Sequence, residues 1–182
     1  AIYKPEKGER PLRDFPLGTL YKRELASANL SNLIGWPNIP LTISREGPHG
    51  VGIFQQYIYH DPEITYFELR DDISFNAKLE QVAAFDLLAN NADRKAGHCI
   101  LDHNNKIWSI DHGLTFHKSF KLRTVMVELW GKEFSKELMS DLKNMVERLS
   151  ETSTNSPHNI SYLISFFSSP LSYHPHFPFT ER

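Results

Sequence analysis

Two aspartates, Asp93 and Asp111, stand 18 positions apart in the stretch NNADRKAGHCILDHNNKIWSIDHG. Asp93 lies in a polar turn. Asp111 ends an apolar run and is followed two residues later by Gly113. Paired carboxylates of this kind suit phosphoryl transfer. One orients and deprotonates an attacking hydroxyl, for which it needs hydrogen-bond reach. The other supplies hard oxygen to a magnesium ion on nucleotide phosphates. Gly113 is expected to let the backbone turn sharply around that metal.

Such chemistry requires the two side chains to meet, and the sequence between them supplies the means. Cys99 to Leu101 and Ile107 to Ile110 are short apolar strands joined by Asn104-Asn105, the signature of a β-hairpin. A hairpin brings its ends together, so the loop entering it and the loop leaving it lie side by side. Upstream, Ser74 to Asn90 reads as a helix whose segment VAAFDLLA is apolar almost all round and therefore buried. Asp86 interrupts that segment. A buried carboxylate needs partners, either backbone donors or an arginine, and Arg94 is expected to neutralise nearby carboxylates. Cys99 reads as an inert core thiol.

The rest of the chain frames this centre. Ala1 to Lys4 is a strand stopped by Pro5, and Glu6 to Gly18 is a polar loop. Thr19 caps a helix in which Leu25, Ala28, Leu33 and Ile34 recur at helical spacing until Gly35 ends it. Leu41 to Arg45 and Val51 to Tyr59 are β-rich, separated by the turn Glu46 to Gly50, and complete an antiparallel sheet with the first strand. His60 to Asp72 is an acidic loop. Ser135 caps a later helix with Leu138, Leu142, Met145, Val146 and Leu149 on one stripe. A polar linker (Ser150 to Asn159), a short aromatic helix (Ile160 to Phe167) and a tail rich in proline and aromatics follow.

The segments YKPEKGERPLRDFP, NNADRKAGH and IDHG together resemble a bacterial phosphatidylinositol 3-/4-kinase-like family of the protein-kinase-like fold, over roughly Ala1 to Phe179. The resemblance implies a two-lobe α+β fold. Residues 1–59 would form a small antiparallel sheet with one helix, and residues 60–182 a mainly helical lobe carrying the catalytic and metal-binding loops. It implies ATP and Mg2+ (or Mn2+) as cofactors and transfer of the γ-phosphoryl group to a hydroxyl on a protein, lipid or small molecule.

Residue roles follow by the same resemblance. Asp93 is the catalytic base, or ends the preceding helix in an Asx turn; Asp111 is the main metal ligand, or is structural. Lys4 steadies the nucleotide phosphates, or is a solvated edge lysine. Glu24 holds Lys4, or is a surface charge. Lys95 reaches the transferred phosphate. Gln56, Tyr57 and Ile58 form the connector whose backbone meets the adenine edge, or are plain strand residues. His98 falls five residues after Asp93, where the family pattern carries an asparagine for a second metal. His112 replaces the family's aromatic residue. Lys118, Lys121 and Arg123 read an acidic or phosphorylated substrate, or form a solvated basic loop. The family pattern carries two further strands that cover the phosphates before this point, and their absence from this sequence is its largest departure from that pattern. The chain begins with Ala rather than Met, as a trimmed or processed protein would.

Composition narrows the classes. The 182 residues are 40% hydrophobic and 23% charged with a formal charge of −2, enough for a sizeable core. The near-neutral balance argues against a general nucleic-acid binder. One cysteine excludes an intrachain disulfide and fits a reducing, cytoplasmic setting. No apolar run approaches a membrane span, and no signal peptide opens the chain.

Three rivals stay open. His98 in place of asparagine, and the missing strands, fit a pseudokinase that binds nucleotide without transfer. The same residues also serve a transferase of AMP. A zinc hydrolase built on His98, His103, His112 and His117 is the weakest, because their spacing matches no short zinc motif.

Overall fold

The computed structural model describes residues 1–129 and 132–152. Residues Ala1–Val127 form one compact unit, and the chain from Glu128 belongs to a second. The architecture is α+β with small antiparallel sheets, as the sequence pattern implies.

Strands β1 (Ile2–Pro5), β2 (Thr42–Gly47) and β3 (Gly50–Gln55) form an antiparallel sheet in the order β1-β3-β2. Lys4 on β1 lies opposite Ile53, which is fully buried. The neighbouring position admits only glycine, since a Cβ on Gly52 would lie 2.3 Å from the Lys4 carbonyl oxygen. That absent side chain lets the β1 backbone close onto β3 and fixes the height of Lys4. β3 stops at Gln55, short of the expected Tyr59. The Gln56 N–H donates to the Leu41 carbonyl at 2.8 Å, and beyond it neither neighbouring strand continues.

Helix α1 (Leu20–Ile34) ends at Gly35, whose φ of 89° is the left-handed conformation that favours glycine. Its beginning differs from expectation. The Thr19 hydroxyl donates to the Pro16 carbonyl at 2.7 Å and makes no cap. The Tyr21 N–H donates instead to the Glu9 carboxylate at 2.8 Å. A carboxylate there also complements the positive end of the helix dipole. The buried face differs too. It is Tyr21, Glu24, Ser27, Ala28, Ser31 and Ile34, while Leu33 is 50% exposed. The polar members are tolerated because each has a partner: Ser27 meets the Thr115 hydroxyl, Ser31 the Pro37 carbonyl, and Glu24 meets Lys4.

The segment expected as an acidic loop contains helix α2 (Tyr66–Leu69), opened by a reciprocal Thr65–Glu68 capping box. Helix α3 (Asn76–Leu88) follows a 3-10 turn, Ile73–Phe75, and buries Leu79, Val82, Ala84, Phe85, Asp86 and Leu87. Strands β4 (Cys99–Leu101) and β5 (Ile107–Ser109) form the predicted hairpin. The Asp102 carboxylate accepts the Asn104 and Lys106 amides and the Trp108 indole N–H, which organises the turn. Asn105 there has a φ of 56°, tolerated best by Asn and Gly. Cys99 is fully buried, and burial pushes its thiol up to about 12, so it is inert.

In the second unit, the amide of Leu138 donates to the Ser135 hydroxyl and opens helix α4 (Lys136–Thr152). Leu138, Leu142 and Met145 are buried. The helix continues through the first three residues of the expected linker, Ser150 to Thr152. The Leu149 side chain, the remaining linker, the aromatic helix Ile160 to Phe167 and the tail histidines His174 and His176 lie outside the described residues. No helix among the described residues is long and apolar enough to cross a membrane.

Candidate functional site

The first unit contains a cleft of about 560 Å³. Its walls include Lys4 from β1, Glu24 from α1, Asp93 from the loop before β4, and Asp111 and Gly113 from the loop after β5. The two aspartates on which the sequence reading depends therefore face one space.

The hairpin achieves this through the main chain. The Ile110 N–H donates to the His98 carbonyl at 3.0 Å, so the ladder closes at the end where the two loops emerge. Asp111 follows directly, at a φ of 60°. This corrects the expectation for Gly113. The sharp turn is taken by Asp111 itself, and Gly113 is not among the residues of positive φ. A non-glycine residue in that region is uncommon, and strain of this kind gathers at functional sites.

Lys4 and Glu24 are paired as the resemblance implies. The Lys4 ammonium lies 2.7 and 2.9 Å from the two carboxylate oxygens of Glu24 and 3.5 Å from Asp111. Glu24 is 2% exposed; burial pushes its carboxyl up, and Lys4 opposes that shift. Helix α1 is fastened to the loop that follows β5. Arg23 donates to the Thr115 and Phe116 carbonyls at 2.7 and 3.0 Å, beside the Ser27–Thr115 contact.

The Asp93 loop is held from both sides. The Ala92 amide donates to the Leu114 carbonyl, and the Arg94 amide to the Arg123 carbonyl. The turn is made by Asn91, whose side-chain oxygen accepts the Asp93 N–H at 3.1 Å. Asn91, and not Asp93, is thus the Asx residue, and the Asp93 carboxylate stays free to face the cleft. It pairs there with Lys95 at 2.7 Å, which raises the Lys95 pKa.

His98 is brought to the site. Its Nε2 lies 3.4 Å from the second Asp111 oxygen, and burial lowers its pKa, with Asp111 opposing. A neutral imidazole beside a carboxylate is able to donate a lone pair to a cation.

Beneath the cleft lies a buried polar cluster. Arg94 makes a two-pronged contact with Asp86 at 2.6 and 2.7 Å, and Asn91 donates to the same carboxylate at 2.8 Å. This is the partner that Asp86 required. Arg94 also donates to the His98 and Ile110 carbonyls at 3.3 and 3.1 Å, which bracket the site. Its remaining N–H meets His112 Nε2 at 2.9 Å. Arginine only donates, so Nε2 must accept and the His112 proton sits on Nδ1. His112 is fully buried, packs edge-on to Phe85, and is held neutral by burial and by Arg94.

Other expected residues lie apart from the cleft. Gln56, Tyr57 and Ile58 follow β3 and do not line it. Lys121 is paired with Asp14 at 2.9 Å, while Lys118 and Arg123 are exposed. His103 is exposed in the hairpin turn, and His117 bonds the Asp14 carbonyl. Among the described residues no group of three His, Cys, Asp or Glu is gathered tightly enough to hold a metal unaided. Two residues in the walls, Glu9 and Arg10, were not singled out from the sequence. They lie in the polar, proline-punctuated segment Glu6 to Gly18, whose composition reads as a connector.

The donor set fits magnesium as bound with a nucleotide. One or two carboxylates suffice when phosphates and water complete the octahedron, and Asp111 offers one on the cleft wall. His98 adds a nitrogen that suits manganese better.

No protein-family model matches the chain. The chain is 33% identical to Protein Rv2133c of Mycobacterium tuberculosis (strain ATCC 25618 / H37Rv) over an alignment of 186 residues, covering 82% of this chain and 66% of that protein. The chain therefore spans just under two thirds of the length of the curated relative that it resembles.

Proposed function

We propose that the protein is an ATP-dependent phosphotransferase of protein-kinase-like fold, moving the γ-phosphoryl group to a hydroxyl acceptor. The observation that carries this reading is the chain Glu24–Lys4–Asp111, set in the same cleft as Asp93. A strand lysine held by a helix carboxylate, beside an aspartate placed for a metal, is the constellation that kinases use for phosphoryl transfer. The match to the phosphatidylinositol 3-/4-kinase-like pattern adds to it by resemblance.

In this reading Lys4, kept in place by Glu24, meets the α- and β-phosphate oxygens. Asp111 and His98 are the residues placed to hold the metal, which when bound would neutralise phosphate charge. Asp93 accepts the acceptor's hydroxyl proton as its oxygen bonds to the γ-phosphorus. The bond from that phosphorus to the β–γ bridging oxygen breaks, and ADP leaves with its electron pair. Lys95 neutralises charge on the moving phosphoryl group.

The test is label transfer. With γ-labelled ATP and magnesium or manganese, label is expected on protein, lipid or small-molecule hydroxyls from a cell extract. ATP binding with no label from either the γ- or the α-phosphate would sink the transferase reading. It would leave the second one, a nucleotide-binding scaffold, which is favoured by the imidazole of His98 against Asp111. Label from the α-phosphate alone would mean AMP transfer.

A further inference from the structure

Six charged side chains line the cleft. Four are acidic (Glu9, Glu24, Asp93, Asp111) and two are basic (Lys4, Arg10). Lys4 is already engaged by Glu24 and Asp111. Arg10 is exposed and has no carboxylate partner among the described residues. Arg10 is thus the basic wall residue whose charge no carboxylate among the described residues takes up, which leaves its guanidinium available to an anion.

The segment that carries Arg10 is fixed on both sides of it. Before it, the Glu9 N–H closes a turn on the Glu6 carbonyl at 3.0 Å, and the Glu9 carboxylate caps α1 through Tyr21. After it, Phe15 is 5% exposed and packs edge-on against His117. The neighbouring Asp14 bonds His117 through its carbonyl and Lys121 through its carboxylate. The main chain on either side of Arg10 is thus anchored, and the planar fork of its guanidinium matches two phosphate oxygens.

We infer that Arg10 is a phosphate-binding residue of this cleft, gripping the polyphosphate chain of the nucleotide from the Glu6–Gly18 segment. This rests on the proposed nucleotide site, and it assigns a phosphate-covering role to a segment that otherwise reads as a connector.

Calorimetric titration of the whole chain with ATP, adenosine and inorganic tripolyphosphate, each with magnesium, tests it. Arg10→Ala is expected to weaken ATP and tripolyphosphate roughly 10- to 100-fold and leave adenosine unchanged, as loss of a charge-assisted pair does. Arg10→Lys should recover only part of that loss, because the fork is gone. Arg13→Ala, an exposed neighbour outside the cleft walls, should bind like the parent. Unchanged ATP binding in Arg10→Ala, or an equal loss for adenosine, overturns the assignment. Tripolyphosphate binding that depends on Arg10, without any ATP binding, keeps the anion site and removes the nucleotide reading. ATP binding that depends on Arg10 without label transfer keeps it and removes only the transferase. A parent chain that binds neither probe overturns both.

Discussion

Asp93→Ala is expected to cut γ-phosphoryl transfer by roughly 10²- to 10⁴-fold, the usual worth of a positioned base, while ATP binding stays within a few-fold of the parent. The prediction separates a chemical role from a structural one. The loop around Asp93 is pinned by main-chain bonds at Ala92 and Arg94 and by the Asn91 side chain. The Asp93 carboxylate contributes only its contact with half-solvated Lys95. Such an ion pair is worth little to stability, so the unfolding free energy from urea denaturation should change by less than about 0.5 kcal/mol. Asp93→Asn keeps the shape and removes the base, and it should lose kcat as severely with KM for ATP unchanged. A variant with parental turnover would remove Asp93 from the chemistry. A variant that unfolds would assign it to the scaffold.

The largest expected effect on stability belongs to Arg94. Arg94→Ala should destabilise the fold by about 3–5 kcal/mol, the cost of stranding a buried charge. Asp86 is 1% exposed and Arg94 3% exposed, so water cannot substitute for the lost guanidinium. The deletion also removes the donors to the His98 and Ile110 carbonyls and to His112. Arg94→Lys should rescue little, since a point charge cannot reach these acceptors together. Removing both charges, as in Asp86→Leu with Arg94→Met, should restore part of the loss, because an apolar pair leaves nothing stranded. Chemical denaturation of the two single variants and the double closes the cycle. A loss below about 1 kcal/mol for Arg94→Ala would mean that water enters the cluster.

What the sequence revealed followed from local rules. The hairpin was written in two short apolar runs, Cys99 to Leu101 and Ile107 to Ile110, and an Asn-Asn turn. The need of Asp86 for a partner followed from its place in VAAFDLLA, and Arg94 was the cation at hand. Lys4 and Glu24 were legible only through the resemblance, because nothing in their spacing of 20 residues marks a contact. The failures share a cause in tertiary structure. Thr19 has the type of an N-cap, yet Glu9 takes that task from twelve residues away. Leu33 has helical spacing but faces outward, since α1 turns its polar side to the Thr115 loop. Gly113 looked like the residue that bends, but the hairpin's last bond at Ile110 forces the bend one residue later, on Asp111.

That position carries a conflict between endurance and chemistry. A left-handed backbone on a residue with a Cβ costs roughly 1 kcal/mol or more that glycine would not incur. A laboratory selection for heat resistance, blind to turnover, would therefore be drawn to Asp111→Gly among its early hits. The survivor would melt later and lack the carboxylate on which the proposed metal site depends, so thermal robustness alone is a misleading guide to improved versions of this chain.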